Sequence, residues 1–155
     1  MMKRLSVENR EIIRKRQKAR KLLVQALYQW QLNKDSVPEI QAQFFAENNL
    51  EKFDEHYFSN LLKGIIQEVQ EIDTLIISQL DRQIDMLNPV ELSVLRLSTY
   101  EFKHCLDIPF KVVIDEAISL CKTYGAVEGH RYVNGVLHHL AGQLRQVEIQ
   151  HAKKS

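Results

Sequence analysis

A run of positive side chains near the amino terminus is the part of the chain best suited to do chemistry. Six of the eight residues from 14 to 21 are Lys or Arg. They are Arg14, Lys15, Arg16, Lys18, Arg20 and Lys21. Guanidinium and ammonium groups donate hydrogen bonds and bind phosphate or carboxylate oxygens. The run therefore predicts a polyanion as a partner.

An amphipathic helix is expected to hold these cations in place. Apolar residues follow the run at helical spacing, at positions 19, 23, 26, 27 and 30, which form one stripe of a 3.6-residue period. No Pro or Gly interrupts the stretch. We predict one helix from about residue 10 to residue 33, with its second half buried and its first half carrying the charges.

Three hypotheses can account for the basic run: a solvated helix end, a membrane-binding surface and a nucleic-acid surface. Only Glu11 is close enough in sequence to pair with Arg14 or Lys15, and unpaired like charges at helical spacing are destabilising. A membrane surface needs an exposed apolar face beside the charges. Single-stranded RNA needs planar groups for stacking, and Tyr28 and Tyr132 supply them if their helix ends lie close together.

Charge is segregated along the chain. Residues 1–35 carry ten Lys or Arg and three Asp or Glu, a net charge of +7, whereas residues 36–155 carry a net charge of −6. A basic end on an acidic body can bind nucleic acid at one face and a basic protein at another. The chain shows neither a long apolar run nor a secretory signal, so we expect a cytoplasmic location.

The rest of the pattern predicts an all-α fold of six to seven helices. Expected helix starts are capped by Ser36, Asp54 and Asn88, with Glu91 completing the box after Asn88. A break is expected near residues 71–73, a helix is expected to end at Gly125, and the last helix is expected to begin near Gly129. We predict a flexible basic lead-in at 1–13, one helical domain at 14–147 and a polar tail at 148–155.

No pattern for catalysis is found. The sequence lacks a Gly-rich phosphate loop, a nucleophile elbow and an HExxH motif. Cys105 and Cys121 have no second pair, and the adjacent His138 and His139 point about 100° apart on a helix, so neither set predicts a metal site. We expect a protein that is not an enzyme, with no catalytic residue, metal or cofactor.

Four segments carry a family resemblance. They are the stretch from Arg16 to Leu32 with its ARKLLVQALYQWQL wording, LNPVELSVLRLSTYEF (87–102), IPFKVVIDEAISLCKTYGA (108–126) and HRYVNGVL (130–137). In this order and spacing, the sequence resembles the NusB family of bacterial transcription antitermination factors over residues 14–144. The resemblance implies two packed helical sub-bundles. It also implies binding to boxA RNA of ribosomal RNA leader transcripts together with NusE, a small-subunit ribosomal protein, in an RNA polymerase complex with NusA and NusG.

The resemblance also implies site residues. The arginine-rich RNA-binding motif of the family falls on Arg16, Gln17, Lys18 and Arg20, with Arg14, Lys15 and Lys21 as extra charge. A second RNA-binding segment falls on Glu128, Arg131 and Tyr132, and the NusE-binding face falls near Tyr28 and Glu91. Gln17 and Lys18 stand where the family commonly has arginine, and they lack the guanidinium fork.

Two other functions fit the same residues. A similar helical domain precedes the catalytic domain of some ribosomal RNA cytosine methyltransferases. Alternatively, the chain is a protein–protein adaptor whose basic arm binds an acidic partner. Preference for boxA RNA over a scrambled RNA distinguishes an RNA-binding factor from an adaptor.

Overall fold

In a computed structural model, residues 2–124 and 129–154 are described, and within them the chain forms eight α-helices and no strand. The helices are α1 (Met2–Asn33), α2 (Val37–Glu47), α3 (Glu55–Gln67), α4 (Val69–Ile77), α5 (Pro89–His104), α6 (Phe110–Tyr124), α7 (Gly129–Leu144) and α8 (Gln146–Lys154). Short 3₁₀ turns lie at Leu50–Lys52 and Ile84–Met86. The all-α prediction is confirmed.

The chain divides into two compact units, Met1–Ile66 and Gln67–Ser155. In the first, α1 packs against α2 and buries the predicted apolar stripe: Ala19, Leu23, Ala26 and Leu27 are all fully buried. Four phenylalanines from α2, α3 and the turn between them surround one another with ring centroids 5.5–6.1 Å apart; they are Phe44, Phe45, Phe53 and Phe58. This aromatic cluster is the other part of the core.

Local capping chemistry sets the helix starts of the first unit. The Ser36 hydroxyl accepts a hydrogen bond from the Glu39 N–H at 3.3 Å, and the Asp54 carboxylate accepts one from the Tyr57 N–H at 3.0 Å. Both caps were predicted, because Ser and Asp satisfy N–H groups that have no partner inside the helix. At the carboxyl-terminal end of α1, Lys34 takes a left-handed conformation with φ 58° and ends the helix.

Helix α5 is the centre of the second unit. It packs against α4, α6 and α7, and its buried residues occupy every side of the helix from Glu91 to Thr99. Asn88 caps it as predicted by accepting from the Val90 N–H at 2.8 Å. The guanidinium of Arg96, which is buried, donates two hydrogen bonds to Asp73 on α4. This bidentate pair neutralises a charge that would otherwise be costly to bury.

Arg145 binds the carboxyl-terminal end of α5. Arg145 is the single residue between α7 and α8, and its side chain is buried. Four backbone carbonyl oxygens accept hydrogen bonds from it at 2.8–3.1 Å: those of Glu101, Phe102, Cys105 and Ile108. Glu148 accepts from the same guanidinium and also from the Phe110 N–H at the start of α6. The Glu101 and Cys105 carbonyls also accept backbone hydrogen bonds, from the Cys105 and Ile108 N–H groups, so Arg145 adds a second donor to these two and binds the Phe102 and Ile108 carbonyls as well.

Three boundaries differ from the expectations. Helix α1 begins at Met2 rather than near residue 10, because no Pro or Gly stops it. The break between α3 and α4 falls at Glu68 rather than at residues 71–73, since the backbone leaves helical geometry there (φ −102°, ψ 15°). A helix, α8, occupies the expected polar tail, anchored by Glu148. The predicted helix end at Gly125 lies outside the described residues.

We expect Arg145→Ala to lower the free energy of unfolding by about 2 kcal/mol or more, because the Phe102 and Ile108 carbonyls lose this donor and each buried carbonyl left without one costs about 1–3 kcal/mol. Arg145→Lys should lose less, since its ammonium reaches some of the same oxygens. Urea unfolding followed by circular dichroism measures both. A loss below about 0.5 kcal/mol for Arg145→Ala would show that the Phe102 and Ile108 carbonyls do not depend on this side chain.

Candidate nucleic-acid interface

Three cations of α1 lie on one exposed face of the helix. Arg14, Lys18 and Lys21 are separated by four and three residues, so their side chains lie on one side of the helix, and all three are exposed. We call these three residues the cationic stripe. Tyr28, which is 38% exposed, and Leu32, which is 56% exposed, continue the same spacing along the helix. The stripe therefore presents charge to solvent, followed by an apolar patch.

Two of the predicted RNA-binding arginines point elsewhere, towards the start of α3. The Arg16 Cζ lies 4.0 Å from the centre of the Tyr57 ring, and its Nε donates to the Asp54 Oδ2 at 3.3 Å. Arg20 is only 4% exposed, with its Cζ 5.7 Å from the same ring. Tyr57 thus packs against both guanidinium groups, and the Arg20 side chain forms part of the core.

Asp54 connects the basic run to the rest of the first unit. One carboxylate oxygen caps α3 through the Tyr57 N–H, and the other accepts from Arg16. Its own N–H donates to the Lys15 carbonyl at 3.1 Å. Lys15 and Gln17 are half-buried, and the Lys15 Nζ lies 3.9 Å from Glu11. The sequence predicted Asp54 as a cap but gave no signal for its bond to Arg16, 38 residues away.

A second cluster lies in the second unit, where the first turn of α7 meets the loop after α4. The Tyr132 hydroxyl donates to the Asp81 Oδ1 at 2.8 Å. The same carboxylate oxygen accepts from the Arg82 Nε at 2.9 Å, and the Arg82 Cζ lies 3.9 Å from the centre of the Tyr132 ring. Arg131, the neighbouring predicted residue, is exposed. We call Asp81, Arg82 and Tyr132 the loop cluster.

Charge and hydrogen bonding shift the pKa values in the loop cluster. Hydrogen bonds from Arg82 and, to a smaller extent, from Tyr132 hold the pKa of Asp81 below its ordinary value. Partial burial and, to a smaller extent, the hydrogen bond to Asp81 raise the pKa of Tyr132. At neutral pH the cluster therefore contains an ionised carboxylate, a cationic guanidinium and a neutral phenol. Asp81 and Arg82 were missed by sequence reasoning because nothing local relates them to position 132.

Glu91 is mostly withdrawn from solvent. It is 8% exposed, and its carboxyl group lies against Gly129, where a Cβ atom would collide with it. Burial raises its pKa, and the positive charge of Arg82 opposes that rise. Its side chain supports the start of α7, so it offers little surface to a partner. Glu128, the remaining predicted residue, lies outside the described residues.

A family model now places the chain among known proteins. The model described as NusB family matches residues 17–142, most of the 155-residue sequence. The chain belongs to the NusB family. Of the predicted site residues, Arg14, Lys15 and Arg16 precede the matched region, whereas Lys18, Arg20, Arg131 and Tyr132 fall inside it.

Curated NusB relatives match nearly end to end. The transcription antitermination protein NusB of Legionella pneumophila (strain Corby) is 48% identical over 140 residues, covering 90% of this chain and 95% of the relative. The protein of the same name from Acinetobacter baumannii (strain AYE) is 46% identical over 138 residues, covering 89% and 93%. The predicted family is therefore confirmed at high identity.

Solved structures of NusB share the fold. NusB of T. maritima matches with a TM-score of 0.71 at 32% identity, over 81% of this chain and 89% of that one. A crystal structure of NusB and NusE in complex with double-stranded RNA matches with a TM-score of 0.70 at 27% identity, over 80% and 93%. The prediction of a NusB-like helical fold is thus confirmed.

Other kinds of site are not found in the described part of the chain. Among residues 2–124 and 129–154, no group of three or more His, Cys, Asp or Glu side chains is arranged to hold a metal ion. In the same residues, no helix combines the length and apolar character needed to cross a membrane.

Two variants of α1, two positions apart, distinguish buried from exposed charge. We expect Arg20→Glu to lower the free energy of unfolding by about 3 kcal/mol or more, because it removes a buried cation and buries an anion among its former partners. Lys18→Glu, at an exposed position, should change it by less than about 0.5 kcal/mol. Chemical denaturation measures both. Equal losses would mean that the Arg20 side chain is not part of the core.

The raised pKa of Glu91 predicts that the free energy of unfolding depends on pH. Its folded-state pKa lies above the ordinary 4.5, so ionisation costs free energy only in the folded state. Its contribution to stability therefore falls as pH rises through the unfolded pKa towards the folded one. We expect Glu91→Gln to be more stable than the parent at pH 7, with the difference vanishing below about pH 4. The free energy of unfolding is measured against pH for the parent and the variant, and two parallel curves would contradict the prediction. The control is Glu47→Gln, at an exposed position, for which parallel curves are expected.

Proposed function

We propose that this chain is a non-enzymatic, RNA-binding transcription antitermination factor. In this proposal it binds boxA RNA of ribosomal RNA leader transcripts together with NusE and joins an RNA polymerase complex with NusA and NusG in the cytoplasm. Its relatives are named transcription antitermination proteins, and one similar solved structure holds NusB with NusE and RNA. The NusB family consists of non-enzymatic factors, as the absence of a catalytic motif led us to expect.

The cationic stripe is the observation that carries the RNA-binding part of the proposal. Lys18 and Lys21 are exposed on one face of α1, which is buried on its other face from Ala19 onward. Arg14 lies on the same side of the helix, where residues 7–14 are all exposed, so the continuous helix places the three cations in one row before any ligand binds. Preplaced cations bind phosphates mainly by releasing counterions, which makes binding strongly dependent on salt. Arg16 presents a guanidinium that Asp54 and Tyr57 already orient, with 29% of its side chain exposed.

The other predicted site residues take different parts in the proposal. Lys15 and Gln17 border the stripe and make secondary contacts. Arg20 supports the helix from inside, because it is buried. In the second unit, Arg131 binds phosphate and Tyr132 contributes to base stacking, and Glu128 belongs to the same segment.

Binding to NusE is proposed for the face that includes Tyr28. Tyrosine next to exposed leucine is typical of protein interfaces, where a ring buries much area at low entropic cost. Tyr28 and Leu32 supply such a patch on α1. Glu91, in the second unit, is the other residue proposed for NusE binding, and its burial indicates that it acts chiefly by shaping the start of α7 rather than by direct contact.

The cationic stripe is tested with a triple variant. We expect Arg14→Ala, Lys18→Ala and Lys21→Ala together to weaken binding of a short boxA RNA at least ten-fold. The slope of log affinity against log salt should also decrease by about 2, since each phosphate contact on a single strand contributes about 0.7. Fluorescence anisotropy over a salt series, with NusE present, measures both quantities.

The matched control for the stripe removes the same charge from exposed positions elsewhere: Lys63→Ala, Lys111→Ala and Lys153→Ala. It should keep the affinity of the parent within about two-fold. Two further titrations complete the design, one with a scrambled RNA of equal length and one with boxA RNA but without NusE. In both, we expect RNA to bind several-fold more weakly. Equal affinity for boxA and scrambled RNA would favour the adaptor hypothesis instead.

A further inference from the structure

The loop cluster contains an arginine that the family resemblance did not point to. Arg82 lies in the loop between α4 and α5, and its guanidinium carbon is 3.9 Å from the centre of the Tyr132 ring. At that distance the cation lies against the ring and covers it. A nucleobase that approaches this side of Tyr132 therefore meets the guanidinium of Arg82 before it meets the phenol.

Asp81 fixes the position of that guanidinium. Its carboxylate oxygen accepts both the Arg82 Nε–H, at 2.9 Å, and the Tyr132 hydroxyl, at 2.8 Å. Its backbone N–H donates to the Tyr132 oxygen at 3.3 Å. An arginine side chain is normally mobile, so holding it by both a ring and a carboxylate removes much of the entropic cost of binding a ligand.

The surroundings favour a neutral planar ligand over a phosphate. Asp81 is 72% exposed at its side chain and stands next to Arg82, whose side chain is 49% exposed. Asp85, also exposed, follows on the same loop. The Asp81 carboxylate on the guanidinium disfavours a phosphate group, but it does not repel the face of an uncharged base. Guanidinium planes are stacking surfaces for unpaired bases in RNA recognition.

We propose that Arg82, backed by the Tyr132 ring and held by Asp81, is a stacking platform for one unpaired RNA base. The inference rests on the proposed RNA-binding function and assigns a base-binding position within it. Tyr132 then acts by supporting Arg82 rather than by stacking a base on the covered side of its ring. Asp81 is a positioning residue, since it touches Arg82 and Tyr132 and not the RNA.

The test compares Arg82→Ala, Arg82→Lys and Asp81→Asn by anisotropy with a short single-stranded boxA RNA in the presence of NusE. Loss of one stacked base lowers affinity by about ten-fold or more, so we expect that loss for Arg82→Ala. Arg82→Lys should lose nearly as much, because it keeps the charge but not the plane. Asp81→Asn should lose about three-fold, since a neutral amide holds the guanidinium less firmly than a carboxylate does. Lys111→Ala, an exposed charge on α6, is the matched control and should bind like the parent.

A series of abasic RNAs identifies the base. Each nucleotide is replaced in turn by an abasic residue, and we expect one replacement to weaken binding to the parent about ten-fold while leaving the affinity of Arg82→Ala unchanged. Thermal melting of each variant checks that it is folded. Arg82→Ala binding within two-fold of the parent, or full affinity for Arg82→Lys, overturns the platform while the proposed function stands. If the parent itself shows no preference for boxA RNA, both proposals fail.

Discussion

Burial of one side of α1 controls which of its cations can reach a ligand. Leu23, Ala26 and Leu27 are fully buried, and they fix the rotation of the helix about its own axis. Because the helix is continuous, that rotation is transmitted back through the basic run at 100° per residue. Lys18 and Lys21 are thereby exposed, whereas Arg20 is buried; Arg14 lies further back, where residues 7–14 are exposed on every side of the helix. Between residues 18 and 21, the apolar half of the helix thus determines which cations are exposed.

A similar arrangement of three side chains, an arginine, a tyrosine and an aspartate, is found in each unit. In the first unit, Arg16 lies over Tyr57 and donates through Nε to Asp54; in the second, Arg82 lies over Tyr132 and donates through Nε to Asp81. In both, the carboxylate accepts a hydrogen bond from the Nε edge of the guanidinium, and the tyrosine ring packs against the guanidinium group. The Arg82 side chain is more exposed, at 49% against 29%, so it has more surface left for a ligand.

Binding without catalysis requires rigid placement of a few groups rather than reactive ones. In the second unit, that rigidity comes from buried polar contacts as well as from apolar packing. Arg96 joins α5 to α4, and Arg145 joins the end of α5 to the gap before α8. Both arginines are buried, so removing their acceptors would leave a guanidinium in the core without hydrogen-bond partners. The loop that carries Arg82 follows α4 and precedes α5, and is therefore supported at both ends.

The sequence by itself determined the all-helical fold, the caps at Ser36, Asp54 and Asn88, and the buried stripe of α1, because each of these depends on residues within about one or two helical turns. The family resemblance supplied Arg131 and Tyr132. Only the tertiary structure decided that Arg20 is buried, that Glu91 lies against Gly129 and that Arg82 covers Tyr132. These contacts join residues up to 51 positions apart, as between Asp81 and Tyr132. No local period or cap encodes such a pairing, since it exists only after the helices have packed.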